Sequence, residues 1–368
     1  MSWTGMRGIA PVPGYVVMQP TTLCNLDCSY CYLPYRAVDH RMGVDVACAV
    51  AASVNGWASG TERFSVVWHG GEPMAAGRTH LAALMAPFRG VEHHLQTNAT
   101  LIDDAWCAFF AAHEVRVSVS VDGPAELDGA RVTRSGRPAH DRIVRGIDTL
   151  RRHGVPFSAL CVVSEPRPGL AGELYAYFLD LGCEVLGINI EEREGVNDRS
   201  NAHRAADVQA FWSELVAACR ARPAIHVREI EWTLRYAGAV LDGTADELLP
   251  RALDPIPTVA ADGRVFLLSP ELAGFTDPRY GDFSSGNVLA TPLHQILAGA
   301  AGSADWVPEY LAGVEACRES CPYFGFCGGA HAANRYFEHG RFDGTQTDHC
   351  RNSKIRLLEG VLDHAREH

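Results

Sequence analysis

The chain has 368 residues, 47% of them hydrophobic, and a formal net charge of −12 at pH 7. That length suggests about two domains, or one barrel with an extension, and the apolar content is ordinary for a large core. The acidic balance gives no reason to expect nucleic acid or an anionic membrane surface as a partner.

The N-terminus, Met1-Ser-Trp-Thr-Gly-Met-Arg-Gly-Ile-Ala-Pro11, lacks the charged and apolar regions of a signal peptide. No apolar run approaches the ~20 residues of a membrane-spanning helix, so a cytoplasmic protein is expected. After residue 14, short β-branched runs alternate with amphipathic stretches. Strands are expected at Tyr15–Gln19, Phe64–Trp68, His94–Thr97, Val115–Val121, Phe157–Val163 and Glu184–Ile190. Helices are expected at Val44–Trp57, Thr79–Phe88, Asp103–His113, His140–His153, Gly169–Leu181 and Ala202–Arg220. This rhythm implies parallel βαβ units, in an open sheet or a partial barrel, with functional loops after the C-terminal ends of the strands. It breaks beyond about residue 235, where a helical piece (Ile230–Leu241) precedes Pro/Asp-rich sequence. A hairpin-like unit follows, turning at Asp262-Gly263. Next come a Gly/Pro/aromatic loop over 269–287, a four-cysteine segment and a last helix, Ser353–Arg366. Two domains are expected, 1–235 and 236–368.

The motifs fall at strand ends. Twelve cysteines without a signal peptide point to metal or redox use rather than disulfides. Cys24, Cys28 and Cys31 have the spacing C-x3-C-x2-C, which can hold three irons of a [4Fe–4S] cluster and leave the fourth open. Zinc is the rival, but structural zinc takes four closed ligands. Tyr30 and Tyr32 flank the last cysteine and are placed to cover it. His69-Gly70-Gly71-Glu72-Pro73 follows the second strand, where glycines allow close backbone approach; His69 is a candidate hydrogen-bonding residue. Gln96-Thr97-Asn98 ends the third strand. Alternation puts Ser118, Ser120 and Asp122 on one face of the fourth, with Arg131 shortly after and able to pair with a carboxylate. His93-His94 reads as a strand edge. The isolated Cys48, Cys107, Cys161, Cys183 and Cys219 read as small core residues. Cys317, Cys321, Cys327 and Cys350 make a closed four-ligand set open to zinc or iron–sulfur.

Together the first four motifs resemble the radical S-adenosylmethionine (SAM) superfamily, over roughly residues 14–200. The resemblance implies a partial (β/α)6 TIM barrel with a [4Fe–4S] cluster on Cys24, Cys28 and Cys31, and SAM chelating the open iron. It implies that Gly70, Gly71 and Glu72 meet the methionyl amino group and that Asn98, Ser120 and Arg131 bind ribose and carboxylate. The segment Gly187-Ile188-Asn189-Ile190 would lie near adenine, and Tyr30 beside the cluster. One electron, from a flavodoxin- or ferredoxin-type donor, would cleave SAM to methionine and a 5′-deoxyadenosyl radical.

The C-terminal part resembles the SPASM extension of peptide maturases, whose cysteines hold auxiliary clusters. Two positions depart from that pattern: Phe266-Leu267-Leu268-Ser269 and His331 stand where cysteines are expected. One auxiliary [4Fe–4S] cluster on Cys317, Cys321, Cys327 and Cys350 is therefore implied, against the two-cluster sulfatase-maturing and thioether-forming types. Ser269–Gly274, Gly286-Asn287, Asn334–Gly340 and Thr347–Arg351 resemble the branch that joins an aromatic ring carbon to a side-chain β-carbon, forming a peptide cyclophane. Such a reaction needs a general base for the ring proton, and Glu271 is the candidate. The implied partner is a precursor peptide. The segment before the first strand reads as too short for a leader-binding domain, so recognition would fall to the barrel mouth, the extension or a separate leader-binding protein. A small-molecule radical SAM dehydrogenase or epimerase and a non-catalytic iron–sulfur or zinc protein are the rival readings.

Overall fold

The computed structural model describes residues 8–60, 63–249, 252–304 and 306–367. The expected rhythm folds into one nine-stranded, mostly parallel sheet. Its first six strands are β1 (Tyr15–Met18), β2 (Ser65–Trp68), β3 (Glu92–Thr97), β4 (Arg116–Ser120), β5 (Phe157–Val163) and β6 (Val185–Ile190). They are linked through α1 (Val44–Ala58), α2 (Arg78–Met85), α3 (Asp104–Ala112), α4 (His140–Arg152) and α5 (Leu170–Leu181), and α6 (Ala205–Ala221) follows β6. Then come β7 (His226–Val227), α7 (Arg228–Leu241) and the hairpin of β8 (Thr258–Val259) and β9 (Val265–Phe266). The order is β7-β6-β5-β4-β3-β2-β1-β8-β9, so β7 and β9 are opposite edges and the barrel is partial.

Period-2 alternation explains the layers. In β5, Phe157, Ala159, Cys161 and Val163 are buried under the helices, while Leu160 and Val162 point into the barrel and line its cavity. α4 buries Ile143, Gly146, Ile147 and Leu150 on one stripe. A Cβ on Gly146 would come within 2.0 Å of the Ala99 carbonyl, so a side chain there would push the helix off the end of β3. The turn Asp262-Gly263 closes the β8–β9 hairpin with Gly263 at φ 85°, a value glycine adopts without a steric penalty.

Several boundaries differ from the sequence expectation. β3 begins at Glu92 rather than His94, because Glu92 and His93 pair with Ser65 and Val66 of β2 and Glu92 N–H donates to the Phe64 carbonyl at 2.8 Å. α2 stops at Met85, ahead of Pro87. The last helix starts as a π-turn, Arg351–Ile355, and becomes α-helical over Arg356–Glu367. Cys107, Cys161 and Cys183 are buried and Cys219 half-buried, but Cys48 lies exposed on α1 and is not a core residue. Residue 235 lies within α7. The helix Arg356–Glu367 packs against α6 and α7, and β8 extends the sheet beside β1. Among the described residues no helix is long and apolar enough to cross a membrane.

Candidate active site and a second cysteine pocket

The cysteine loop after β1 lies over the C-terminal ends of the strands. Backbone bonds hold it on both sides: Cys24 N–H to the Arg36 carbonyl (2.9 Å), Asp27 N–H to Val132 (2.8 Å) and Ser29 N–H to Ala130 (3.0 Å). Gly71, at φ 60°, packs beneath it. A Cβ there would lie 2.6 Å from the Leu23 carbonyl and 2.7 Å from that of Thr21. Cys24, Cys28 and Cys31 all reach one cavity of about 300 Å³. Tyr30, His69, Gly71, Glu72, Asn98, Ser120, Arg131 and Glu271 line it too.

The predicted polar residues are first of all bonded to one another. Glu72 is buried, and its carboxylate accepts from Met74 N–H (3.0 Å), the Thr97 hydroxyl (2.8 Å) and Asn98 N–H (2.8 Å). Burial outweighs those bonds and pushes it up to about 7. Asn98 donates to Asn25 Oδ1 (2.8 Å) within the loop, and Gln96 donates to Ser120 (2.7 Å). Arg131 is buried and holds Asp122 with two bonds of 2.9 and 3.0 Å. Asp122 also accepts from the Tyr30 hydroxyl (2.6 Å), and Arg131 stands 5.4 Å from that ring's centre. The Tyr32 hydroxyl meets His69 Nε2 at 2.9 Å, and burial lowers His69 to about 4, leaving it neutral.

Two predicted residues do not reach the cavity. Gly70 stands behind it against the Gln19 side chain. Ile188 is core, its N–H bonded to Glu229 (2.9 Å), because strand parity turns it to the side opposite Asn189, which lines the cavity; Ile190, the last residue of β6, reaches the cavity at the strand's end.

A wall of acids was missed in the sequence. Glu191, Glu192 and Glu194 leave β6 directly into the cavity and face Glu271 on the short 3-10 turn Pro270–Leu272. Their position just after a strand's C-terminal end was the available signal. Burial and Glu192 raise Glu271 to about 8; burial and its acidic neighbours push Glu194 well above the carboxylate range. Against the opposing effect of burial, His349, 3.2 Å away, holds Glu192 down at about 2.

The three thiols are all pushed up, Cys24 to about 12 and Cys28 to about 11, first by burial and also by neighbouring thiols and acids. A bound metal cluster reverses that penalty by holding them as thiolates. No three His, Cys, Asp or Glu groups among the described residues converge on a point suited to a single ion; a cluster spreads its ligands around a cube. The three thiols opening on one roomy cavity fit three ligands with a fourth position free.

Cys317, Cys321, Cys327 and Cys350 line a second, tighter cavity together with Lys354. Cys317 lies in the last turn of the helix Trp306–Ser320, Cys327 ends the turn Phe324–Cys327, and the Thr347 hydroxyl caps Cys350 N–H at 3.0 Å. A bond from the Cys350 thiol lowers the Cys327 thiol against the effect of burial, with Lys354 helping. Four thiols around one tight cavity, with Lys354 on its wall, fit the four ligands of a closed cluster better than a single ion. Phe266, Leu267 and Leu268 are fully packed core, Ser269 accepts from Ala333 N–H (3.2 Å), and His331 turns toward His349. None of them reaches this cavity.

The family description that matches residues 18–165 is the Radical SAM superfamily. An uncharacterised protein of Synechocystis is 34% identical over 368 residues, covering 94% of this chain and 90% of that one. The serine-type anaerobic sulfatase-maturating enzyme of Klebsiella aerogenes is 33% identical over 213 residues, 54% of this chain and 52% of that enzyme. The chain thus matches about half the length of that relative. Among solved structures, anSMEcpe with bound AdoMet shares the fold with a TM-score of 0.75 at 20% identity, covering 97% of this chain and 99% of that one. Streptococcus suis SuiB bound to precursor peptide SuiA does so with a TM-score of 0.64 at 15% identity, over 92% and 76% of the two chains.

Proposed function

The chain belongs to the radical SAM superfamily, and from that premise we propose that it is a peptide maturase joining an aromatic ring carbon to a side-chain β-carbon in a ribosomally made precursor. The observation that carries this reading is Glu271: an acid from the C-terminal part, 240 residues beyond Cys31, lines the same cavity as the three thiols. A solved relative in fold, SuiB, carries the precursor peptide SuiA in its structure, which supports a peptide occupant. The packed core segment Phe266–Leu268 offers no thiol for a further auxiliary site, which supports the cross-linking branch over the sulfatase-maturing one.

When bound, SAM and a [4Fe–4S] cluster on Cys24, Cys28 and Cys31 supply a hydrogen-abstracting radical, and a cluster on Cys317, Cys321, Cys327 and Cys350 supplies an electron acceptor. The cross-link removes two hydrogens, one as an atom from the β-carbon and one as a ring proton with its electron. Glu271 takes the proton. Its carboxyl, raised to about 8, is a stronger base than an exposed glutamate once ionised. Glu192, held ionised by His349, keeps that pKa high. Leu160 and Val162 supply the apolar wall against which a ring can lie, and neutral His69 with Tyr32 closes the cavity beside the cysteine loop. The precursor peptide and a flavodoxin- or ferredoxin-type donor are the partners this reading requires.

Glu271→Gln tests it. SAM cleavage should continue while cross-linked product falls, roughly 100-fold or more for loss of a general base. In the wild type the ionised fraction of Glu271 grows as pH rises through about 8. Product formation should therefore climb between pH 7 and 9 and the variant should lack that limb. Undiminished product from the variant removes Glu271 from the reaction.

A further inference from the structure

Arg335 has 0% exposure, yet its hydrogen bonds go to three carbonyls and one sulfur: Gly329 (2.6 Å), Phe342 (3.2 Å), Tyr310 (3.4 Å) and Cys317 Sγ (3.3 Å). Its guanidinium carbon lies 5.0 Å from the centre of the Tyr310 ring. A guanidinium taken wholly out of water costs several kcal/mol unless an anion compensates it. Asp343 feels its charge but is itself paired with Arg341. The helix Trp306–Ser320 gives up a side chain to make room: a Cβ on Gly313 would sit 2.2 Å from Arg335 Nη1, although mid-helix glycine is worth about 1 kcal/mol less than alanine.

A second cation lines the four-cysteine pocket itself. Of the chain's 32 lysines and arginines, Lys354 alone is a lysine. It lies four residues past Cys350, in the π-turn Arg351–Ile355, a wide turn that recurs at functional sites. It lines the four-cysteine cavity and also a larger outer cavity of about 400 Å³ with Trp232, Tyr236, Phe326 and Cys327. Its ammonium stands 5.7 Å from the Trp232 ring centre. An ammonium is a compact point charge where a guanidinium is a planar fork, so the two cations are suited to different places. Arg335 spreads over carbonyls in the packed interior, and Lys354 stands between the four-cysteine cavity and the larger one.

The geometry points to Arg335 and Lys354 as a two-cation clamp on the four-cysteine site, making a metal centre there easier to reduce and slower to lose its metal. Both are positioning residues that act through the cysteines. N–H···S bonds and nearby positive charge stabilise an added electron, which raises a centre's reduction potential. The clamp rests on reading the four cysteines as a metal centre and is independent of the peptide reaction.

The test uses the full chain, anaerobically reconstituted with iron, in the wild type and in Arg335→Met, Arg335→Lys, Lys354→Met and Lys354→Arg. Two quantities are read: the midpoint potential of the four-cysteine centre by EPR-monitored titration, and the rate of metal loss to EDTA. The neutral variants should shift the potential to more negative values and lose metal roughly tenfold faster, Arg335→Met most strongly, while Lys354→Arg keeps wild-type behaviour. Because Arg335 is buried, the half-buried Lys354 decides: Lys354→Met with wild-type potential and metal retention overturns the clamp. A wild-type protein with no metal on these four cysteines overturns the metal-centre reading and the clamp with it.

Discussion

Seven cysteines, three near the start of the chain and four near its end, sit in surroundings of opposite charge. Around Cys24, Cys28 and Cys31 the wall is acidic, with Glu72, Glu191, Glu192, Glu194 and Glu271, and the nearby Arg131 is already committed to Asp122. Around Cys317, Cys321, Cys327 and Cys350 the near charges are Arg335 and Lys354. The first site is roomy and rigidly framed; the second is tight, with four ligands. The contrast suits a division of labour. A site with three ligands and an acidic wall can admit a substrate and receive its proton. A site with four ligands and flanking cations can exchange an electron and nothing larger.

The sharpest way to break this division is to remove the first site alone. Changing Cys24, Cys28 and Cys31 together to alanine should abolish SAM cleavage and lower iron from about eight to about four per chain, leaving the second centre. A count that stays near eight, or falls to zero, shows that the two sites do not load separately. Next in size is the frame. Asp122→Asn strands a buried arginine and should cost about 3–5 kcal/mol in denaturant unfolding of the metal-free chain; a loss under about 1 kcal/mol would show Arg131 compensated by Asp128, 3.6 Å away. Gly71→Ala combines a positive φ with a backbone clash and should cost about 1–3 kcal/mol. It should lower iron on the three-cysteine loop, read from the iron count of the isolated protein, without touching the four-cysteine pocket. Smallest is Tyr32→Phe, which removes one hydrogen bond to His69 and should cost about 0.5–1.5 kcal/mol, read as a small drop in the denaturant midpoint.

Much of this was visible in the chain. β5 over Phe157–Val163 matches its alternation residue for residue, and α1 starts at Val44, where its apolar stripe begins. The gathering of Cys317, Cys321, Cys327 and Cys350 in one cavity follows from a spacing that brings four thiols within reach of a common centre. Ile188 went the other way: it is the apolar residue in a motif, but strand parity hands the cavity to Asn189. Arg131, read as able to pair with a carboxylate and expected at the SAM carboxylate or ribose, is committed to Asp122 in the fold. Glu191, Glu192 and Glu194 belong to no motif in the sequence, and only the closed barrel brings them to the cavity.

The sequence by itself determined the βα rhythm, the three-cysteine loop after β1 and the separate four-cysteine segment, because these rest on local periodicity and on ligand spacing within a few residues. Only the tertiary structure decided which charges face which sulfurs. Glu271 reaches the first site across 240 residues of chain, and Arg335 meets Cys317 through a gap left by Gly313. The reason is physical: a charge's role is set by burial and by partners brought from distant segments, and neither is encoded in the residues beside it.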